Sequence, residues 1–292
     1  MKYQIIHSTI CQYDSPVSVC HYHAKLIPRR LPYQNCPWHE MTIHPEPLQR
    51  YVRQDAFGNA TMYFEIEGSH EELEVISKSL VELETYPSPD RKNTPCWELI
   101  RDACNSLHWN NASPAGEFAC SSPLVRTNET LRNYALTSFP ANCPVLSGVL
   151  HLNHRIFTEF TFDPMATNVA TLMEEAWEKK RGVCQDYAHV MIGCLRSIGL
   201  PARYVSGYLE TLPPQGKQKL IGADASHAWL SVWCGEALGW IDVDPTNDIM
   251  PSTRHITLAW GRDFSDVSPL RGVTLGAGNQ KILVAVDVTP EI

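Results

Sequence analysis

The chain lacks the features that mark a nucleic-acid-binding or membrane-embedded protein. It has no long basic run, and its 24 basic and 32 acidic residues give a formal net charge of −8 at pH 7. Neither a nucleic acid nor a membrane is therefore expected as its main partner. No stretch approaches the roughly 18 apolar residues of a membrane-spanning helix, and the N-terminus lacks the apolar segment of a secretion signal. We therefore expect a cytoplasmic protein.

Metal-binding cysteine pairs are also missing. None of the ten cysteines forms a C-x-x-C pair, so nothing supports a ribbon-type zinc site. Without a secretion signal, disulfides are not expected. Nearly all the cysteines are predicted to be small buried hydrophobic residues, and no cofactor or metal is predicted. A cysteine with a chemical role must be distinguished by its local sequence.

Helical periodicity is absent from the first 86 residues, which divides the 292-residue chain into two predicted domains. Residues 1–86 read as a small β-sandwich-like domain, with turn clusters between short apolar or alternating runs. The predicted strands are 3–10, 17–27, 41–43, 51–53, 61–66 and 73–83. Proline and polar turn residues make 87–95 a predicted linker. Residues 96–292 form the second domain, with helices predicted over 97–107, 129–137, 145–159 and 168–182.

One cysteine opens an unusually apolar helix. From Cys184 to residue 198 the chain has no charged residue between Asp186 and Arg196, and Gly199 ends the pattern. Such a helix is predicted to be buried nearly all round. At its N-terminus the free amides and the positive end of the helix dipole stabilise a thiolate, the reactive form of cysteine. Cys194, roughly 15 Å further along the axis, gains no such help.

A histidine and two aspartates follow on a predicted β-hairpin. Residues 226–234 alternate, which places His227, Trp229 and Ser231 on one face of a strand. A four-residue loop at 234–237 would oppose His227 to Asp244, so that the carboxylate accepts the Nδ1–H of the imidazole. A shift of two residues would instead oppose His227 to Asp242 or Thr246. The residues alone leave both aspartates open as partners of the histidine.

These same segments resemble the transglutaminase-like superfamily, in its bacterial branch that includes proposed cysteine proteases. The motifs are Arg-Gly-Val-Cys-Gln-Asp-Tyr-Ala-His at 181–189, Ala-Ser-His-Ala-Trp at 225–229 and Gly-Trp-Ile-Asp-Val-Asp-Pro-Thr-Asn at 239–247. The resemblance extends to 162–167 and 255–264, and to Asp-Ala-Phe-Gly-Asn at 55–59 in a β-rich N-terminal domain. It implies an α+β, papain-like core in which the nucleophile helix packs on an antiparallel sheet.

The resemblance also implies the roles of three residues, with Cys184 as nucleophile, His227 as base and Asp244 as the acid that orients the histidine. It favours Asp244 over Asp242. The reaction predicted is attack by the thiolate on an amide or peptide carbonyl of a polypeptide or other amide-bearing substrate, with a thioester intermediate. Water as acceptor gives a protease or amidase, which we prefer, and an amine gives a transglutaminase.

Two further hypotheses belong to other classes of protein. In one, the fold is a non-catalytic binding or scaffold module in which the three residues only pack. In the other, His21 and His23 on one strand face join His7 or another residue to bind a metal ion. The substrate and the oligomeric state are not readable from the sequence.

Overall fold

The computed structural model describes residues 1–85, 89–104, 115–167, 171–211, 226–276 and 278–291. It confirms the predicted α+β class, with two antiparallel sheets and a buried central helix. In this described part of the chain, no helix combines the length and the apolar character that crossing a membrane requires. All ten cysteines are free thiols.

The larger sheet has six strands and contains the N-terminal region. Its order is β11-β1-β4-β2, while β12 also pairs with β1 and β3 with β4. Alternate residues of β1 and β4 are buried, as period-2 patterning requires. The six strands are β1 Lys2–Ala24, β2 Gln34–His44, β3 Gln49–Gln54, β4 Ala60–Leu83, β11 Leu270–Leu275 and β12 Gln280–Glu291.

This sheet differs from the sequence-based expectation in two ways. The runs predicted as separate strands at 3–10 and 17–27 are one strand, β1, and those at 61–66 and 73–83 are one strand, β4. The polar stretches between them are accommodated by shifts of register between Gln12 and Val19 rather than by turns. In addition, β11 and β12, from the predicted catalytic segment 96–292, complete the sheet by pairing with β1.

The second half combines helices with a four-stranded antiparallel sheet. The sheet order is β10-β7-β8-β9, and helix α5 packs against β7 and β8. The strands are β7 Ala202–Leu209, β8 Ser226–Trp233, β9 Trp240–Val243 and β10 His255–Gly261, and a short parallel pair joins β5 Thr161–Phe162 to β6 Arg181–Gly182. The helices are α1 Trp97–Cys104, α2 Glu129–Leu136, α3 Val145–Glu159, α4 Met173–Lys179, α5 Cys184–Ser197 and α6 Phe264–Val267, with a 3₁₀ turn at Gly116–Ala119.

The observed helices lie where periodicity predicts them, with shorter ends. The predicted helix over 168–182 is α4, which stops at Lys179 because Lys180 adopts a left-handed conformation (φ 49°). Gly182, predicted as the helix stop, instead lies in β6. Residues 105–107 and 168–170 of the predicted helices lie outside the described residues, as do 86–88 at the predicted linker. The boundaries 1–86 and 96–292 stay predictions.

Two side-chain amides, from Gln34 at the start of β2 and from Asn59 just before β4, cover the free edge of β10. Gln34 receives a hydrogen bond from the backbone N–H of Thr257 and donates to its carbonyl, both at 2.8 Å. Asn59 likewise accepts the backbone N–H of Trp260 at 2.9 Å and donates to the Trp260 carbonyl at 2.8 Å. The Arg29 guanidinium stacks on Trp260 at 3.5 Å. These contacts replace a missing neighbouring strand and fix the two sheets together.

Candidate active site

The Cys184 thiol lies at the first residue of helix α5 and is partly exposed to solvent. The turn before it is held by Asp186, whose Oδ2 accepts the backbone N–H of Val183 at 2.8 Å and the hydroxyl of Thr167 at 2.6 Å. Beyond Cys184, residues 185–196 are all buried. The helix therefore places one accessible thiol at its positive end and seals the rest in the core.

His227 of β8 connects this thiol to a carboxylate. Its Nε2 lies 2.8 Å from Oδ2 of Asp244, and its imidazole also forms a hydrogen bond with the side chain of Cys184. Burial opposes protonation of the imidazole, but the hydrogen bonds with Asp244 and Cys184 outweigh it and raise the pKa of His227 to about 10. The structure thus brings the three predicted site residues together in one chain of contacts.

The Asp244 carboxylate is fully buried and receives several hydrogen bonds. Its Oδ1 accepts the backbone N–H groups of Thr246 and Asn247 at 2.9 and 3.3 Å. Its Oδ2 accepts the side-chain amide of Asn247 at 2.7 Å in addition to His227. Burial alone would raise the pKa of Asp244, yet donors led by His227 hold it well below its usual range. The carboxylate therefore remains ionised beside a protonated imidazole.

The predicted register of the β8–β9 hairpin is wrong by two residues. Trp233 pairs with Trp240 and Leu230 with Val243, whereas a four-residue loop would pair Trp233 with Leu238. The loop is longer because Gly235 and Gly239 take positive φ values and close it with Cys234 N–H bonded to the Gly239 carbonyl at 2.9 Å. The ladder ends at Val243, and Asp244 reaches His227 from the turn that follows.

This altered approach also changes which nitrogen meets the carboxylate. Asp244 contacts Nε2 of His227, so the prediction that it would accept from Nδ1 is wrong. Asp242, the alternative partner, binds the hydroxyl of Ser231 and accepts from Nε1 of Trp229 at 3.1 Å. In these contacts Asp242 serves the packing of β8.

Two polar residues beside Asp244 received no role from the sequence. They are Asn247, described above, and His255 of β10, whose Nε2 lies 3.2 Å from Oδ2 of Asp244. The connection from β9 to β10 crosses the end of the sheet and brings His255 to the carboxylate. Asn247 lies within the Asp-Pro-Thr-Asn motif, a signal that could have indicated it. His255 is the first residue of the segment 255–264 to which the resemblance extends, so that segment could have indicated it.

The metal hypothesis based on His7, His21 and His23 is not supported by their positions. His7 is buried against the other half, with Nδ1 3.0 Å from the Tyr208 hydroxyl, while His21 lies 3.8 Å from Glu65. The metal-donor cluster that the described residues do contain is His227, Asp244 and His255, whose donor atoms lie within 4.8 Å of one another. Both imidazoles already meet the same carboxylate oxygen at hydrogen-bond distances.

Cys194 and His189 provide contrasts within the same helix. Cys194 is completely buried, and burial raises the pKa of its thiol to about 12. His189 accepts the backbone N–H of Phe264 at 3.2 Å, and burial lowers the pKa of its imidazole to about 4. Neither residue shares the environment of Cys184 and His227.

Comparison with known families follows the two halves of the chain. The model described as "Bacterial transglutaminase-like N-terminal region" matches residues 3–82. The model described as "Transglutaminase-like superfamily" matches residues 140–245, a span that contains Cys184, His227 and Asp244.

Individual proteins agree with these family matches. An uncharacterized protein of Mycobacterium tuberculosis (strain ATCC 25618 / H37Rv) is 37% identical over 296 residues, which cover 99% of this chain and 93% of that protein. A protein-glutamine gamma-glutamyltransferase of Pseudomonas aeruginosa is 37% identical over 100 residues, 34% of this chain and 15% of that protein. The crystal structure of a proposed cysteine protease from Cytophaga hutchinsonii has a TM-score of 0.76 at 19% identity and covers 100% of this chain and 92% of its own.

Proposed function

Because this chain belongs to the transglutaminase-like superfamily, we propose that it is a cysteine-nucleophile acyl-transfer enzyme, a protease or amidase acting on amide or peptide bonds through a thioester. The observation that carries the proposal is the hydrogen-bonded chain from Cys184 through His227 to Asp244. A thiol at a helix N-terminus beside a carboxylate-bound imidazole is the arrangement that thiol catalysis requires.

In the acylation half-reaction, the Cys184 thiolate attacks the carbonyl carbon of the substrate and a carbon–sulfur bond forms. The carbon–nitrogen bond then breaks as His227 transfers its Nδ1 proton to the departing amine. The imidazole keeps its Nε2–H on Asp244 throughout, which maintains the tautomer that can give up the other proton. The products are a free amine and a thioester on Cys184.

Water completes the cycle in the deacylation half-reaction. The neutral Nδ1 of His227 takes a proton from water as the water oxygen attacks the thioester carbon, and the carbon–sulfur bond breaks. Cys184 returns to the thiolate and His227 to the imidazolium. In both half-reactions the backbone N–H of Cys184, which has no carbonyl partner at the first position of the helix, is a suitable donor to the oxyanion.

The test compares two cysteines of one helix, Cys184 and Cys194. Brief iodoacetamide treatment of the folded protein should modify Cys184, and this labelling should disappear in Cys184→Ala but persist in Cys194→Ala. The same pair is then treated with a library of peptide and glutamine substrates, and acylated protein is located by mass spectrometry. A thioester should form on Cys184 and depend on His227. Equal labelling of the two cysteines, unaffected by His227→Ala, would contradict the proposal and favour the scaffold hypothesis.

Transamidation is the second candidate reaction. It is favoured by the match to the protein-glutamine gamma-glutamyltransferase over 100 residues. Water and a primary amine would resolve the same thioester, so the two reactions differ only in the acceptor. To distinguish them, a primary amine is added to the acylated enzyme and the mass of the released product is measured by mass spectrometry. Product carrying the amine at low amine concentration supports a transglutaminase, and free acid supports a hydrolase.

A further inference from the structure

We propose that His255 is a positioning residue, which donates its Nε2–H to Asp244 and so fixes the carboxylate that orients His227. The inference rests on the proposed function of Cys184 and His227. It adds a fourth side chain to the site, from a strand at the far edge of the sheet from β9. His255 is placed to act through Asp244, since its Nε2 contacts the carboxylate.

The hydrogen bonds of His255 define which of its nitrogens carries the proton. The backbone N–H of Ser252 points at Nδ1 over 3.4 Å, so Nδ1 is the acceptor. Nε2 therefore holds the hydrogen and donates it to Oδ2 of Asp244 at 3.2 Å. A donor in this neutral tautomer stabilises the carboxylate without adding a second positive charge beside His227.

The surroundings of His255 hold its ring in place. Its side chain is 1% exposed, and its ring packs edge-on against Trp229 with the centroids 5.3 Å apart. It opens β10, the strand whose edge is fixed two residues later by Gln34 at Thr257. A ring locked by packing and by a backbone donor is the kind of support that keeps a catalytic group in one geometry.

The effect on the reaction follows from the proton transfers proposed above. His227 must keep Nε2–H on Asp244 while Nδ1 releases and regains a proton. If the carboxylate rotated, His227 could bind it in another orientation or present the wrong nitrogen to the thiol. Among the described residues, the titratable side chains bonded to Asp244 are those of His227 and His255. Asp248 of the same turn is bound by His154 at 2.7 Å. His255 and Asn247 are thus the side chains placed to prevent that rotation.

The experiment measures the rate of Cys184 alkylation by iodoacetamide between about pH 5 and 10. His255→Phe keeps a ring against Trp229 but removes the donor, and it should slow alkylation at neutral pH about 10- to 100-fold, the loss expected for a hydrogen bond to a charged group. It should also shift the pH profile. His255→Gln keeps a donor and should recover most of the rate. His7→Phe, at another buried histidine, controls for general destabilisation and should leave the rate unchanged.

Separate results would overturn this inference and the proposed function. If alkylation of the wild type is slow and independent of His227, the proposed function fails. If wild-type alkylation depends on His227 but folded His255→Phe reacts at the same rate and with the same pH profile, only the role of His255 fails. One bound metal ion per chain, whose removal by a chelator alters the rate, would also overturn it by making His255 a ligand.

A measurement on the wild type keeps the inference testable if His255→Phe does not fold. Nitrogen-15 NMR of the imidazoles distinguishes the two neutral tautomers of each histidine. We expect His255 to carry its proton on Nε2 and to have an unprotonated Nδ1. A proton on Nδ1 alone would leave no donor toward Asp244 and would overturn the proposal.

Discussion

Asp244 is the residue on which the polar contacts of the site converge. It has no solvent exposure, yet its two oxygens accept hydrogen bonds from two imidazoles, one side-chain amide and two backbone N–H groups. A carboxylate taken out of water is stable only when its charge is paired and its lone pairs are used. The hydrogen bonds that keep Asp244 ionised therefore also hold its carboxylate where it orients His227.

Replacement of this carboxylate tests the choice between the two aspartates that the hairpin pattern left open. We expect Asp244→Asn to slow iodoacetamide alkylation of Cys184 about 10- to 100-fold, because His227 loses a charged hydrogen-bond partner. Asp242→Asn is the matched control, since Asp242 contacts Trp229 and Ser231 and should change the rate much less. Equal losses in the two variants would mean that the carboxylates only support packing.

The same variant should alter how stability depends on pH. The pKa of His227 is raised to about 10 from about 6.5 in an unfolded chain, so its contribution is complete below about pH 6.5 and is lost as pH rises through about 10. The pKa of Asp244 is lowered, so its contribution is present above about pH 3.9 and is lost as pH falls through the lower folded value. Urea unfolding should therefore show stability falling from about pH 7 to 10 more steeply in wild type than in Asp244→Asn.

At the scale of single elements, the local sequence predicts where helix α5 and strand β8 lie, but not how the β8–β9 hairpin pairs. Helix α5 is predictable because a charge-free run between Asp186 and Arg196 is followed by a stop at Gly199, where φ is 82°. Strand β8 is predictable because its residues alternate. The hairpin register is not, because it depends on two glycines with positive φ in the loop. A pattern of period 2 fixes the face of each residue but not its partner, since a shift of two residues keeps every side chain on its face.

Gly207 of β7 shows how strongly one element constrains its neighbours. A Cβ at this position would lie 2.1 Å from the Ile256 carbonyl oxygen and 2.5 Å from the Trp229 ring. Gly207 also pairs directly with His227. The absent side chain therefore lets β7 approach both β10 and the indole that packs beside the two site histidines.

We expect Gly207→Ala to lower the free energy of unfolding by about 1–3 kcal/mol, the usual cost of forcing extra volume into a packed site. Alkylation of Cys184 should also slow, because the added methyl group displaces Trp229, whose ring contacts both His227 and His255. Gly278→Ala is the control, since a Cβ there meets other atoms only at 3.6 Å, and we expect little change. Unfolding in urea and the alkylation rate measure both effects. Unchanged alkylation in a destabilised Gly207→Ala would contradict the link to the site.

At the scale of the whole molecule, the two halves are interlocked in a way that local sequence could not predict. The return of β12 to β1 pairs residues at opposite ends of the chain, such as Lys2 with Glu291. An alternating run does not indicate which strand edge it will join. The contact of His255 with Asp244 is likewise not predictable from local sequence, because it forms only when β10 lies across the sheet from β9. Cys184 and His227 were predictable because their own elements carry the signal.

This interlocking predicts that a change in the last strand weakens the half that contains helix α5. Val286 and Val284 lie on the same face of β12, but Val286 is fully buried and Val284 is 54% exposed. Val286→Ala should lower the free energy of unfolding by about 1–3 kcal/mol through lost apolar burial and the cavity that remains. Val284→Ala, the same substitution two residues away, should change it by no more than about 0.5 kcal/mol.

Comparing unfolding at Cys194 with unfolding of the whole chain tests whether the two halves unfold together. Cys194 lies in α5, in the other half, and its thiol is completely buried, so its labelling by iodoacetamide reports unfolding of the core around α5. If the β11 and β12 pairings and the amide contacts at β10 couple the sheets, Val286→Ala should lower the urea midpoint for Cys194 labelling as much as the midpoint for loss of circular dichroism. A circular-dichroism midpoint that falls while the Cys194 midpoint stays fixed would show two independently unfolding units.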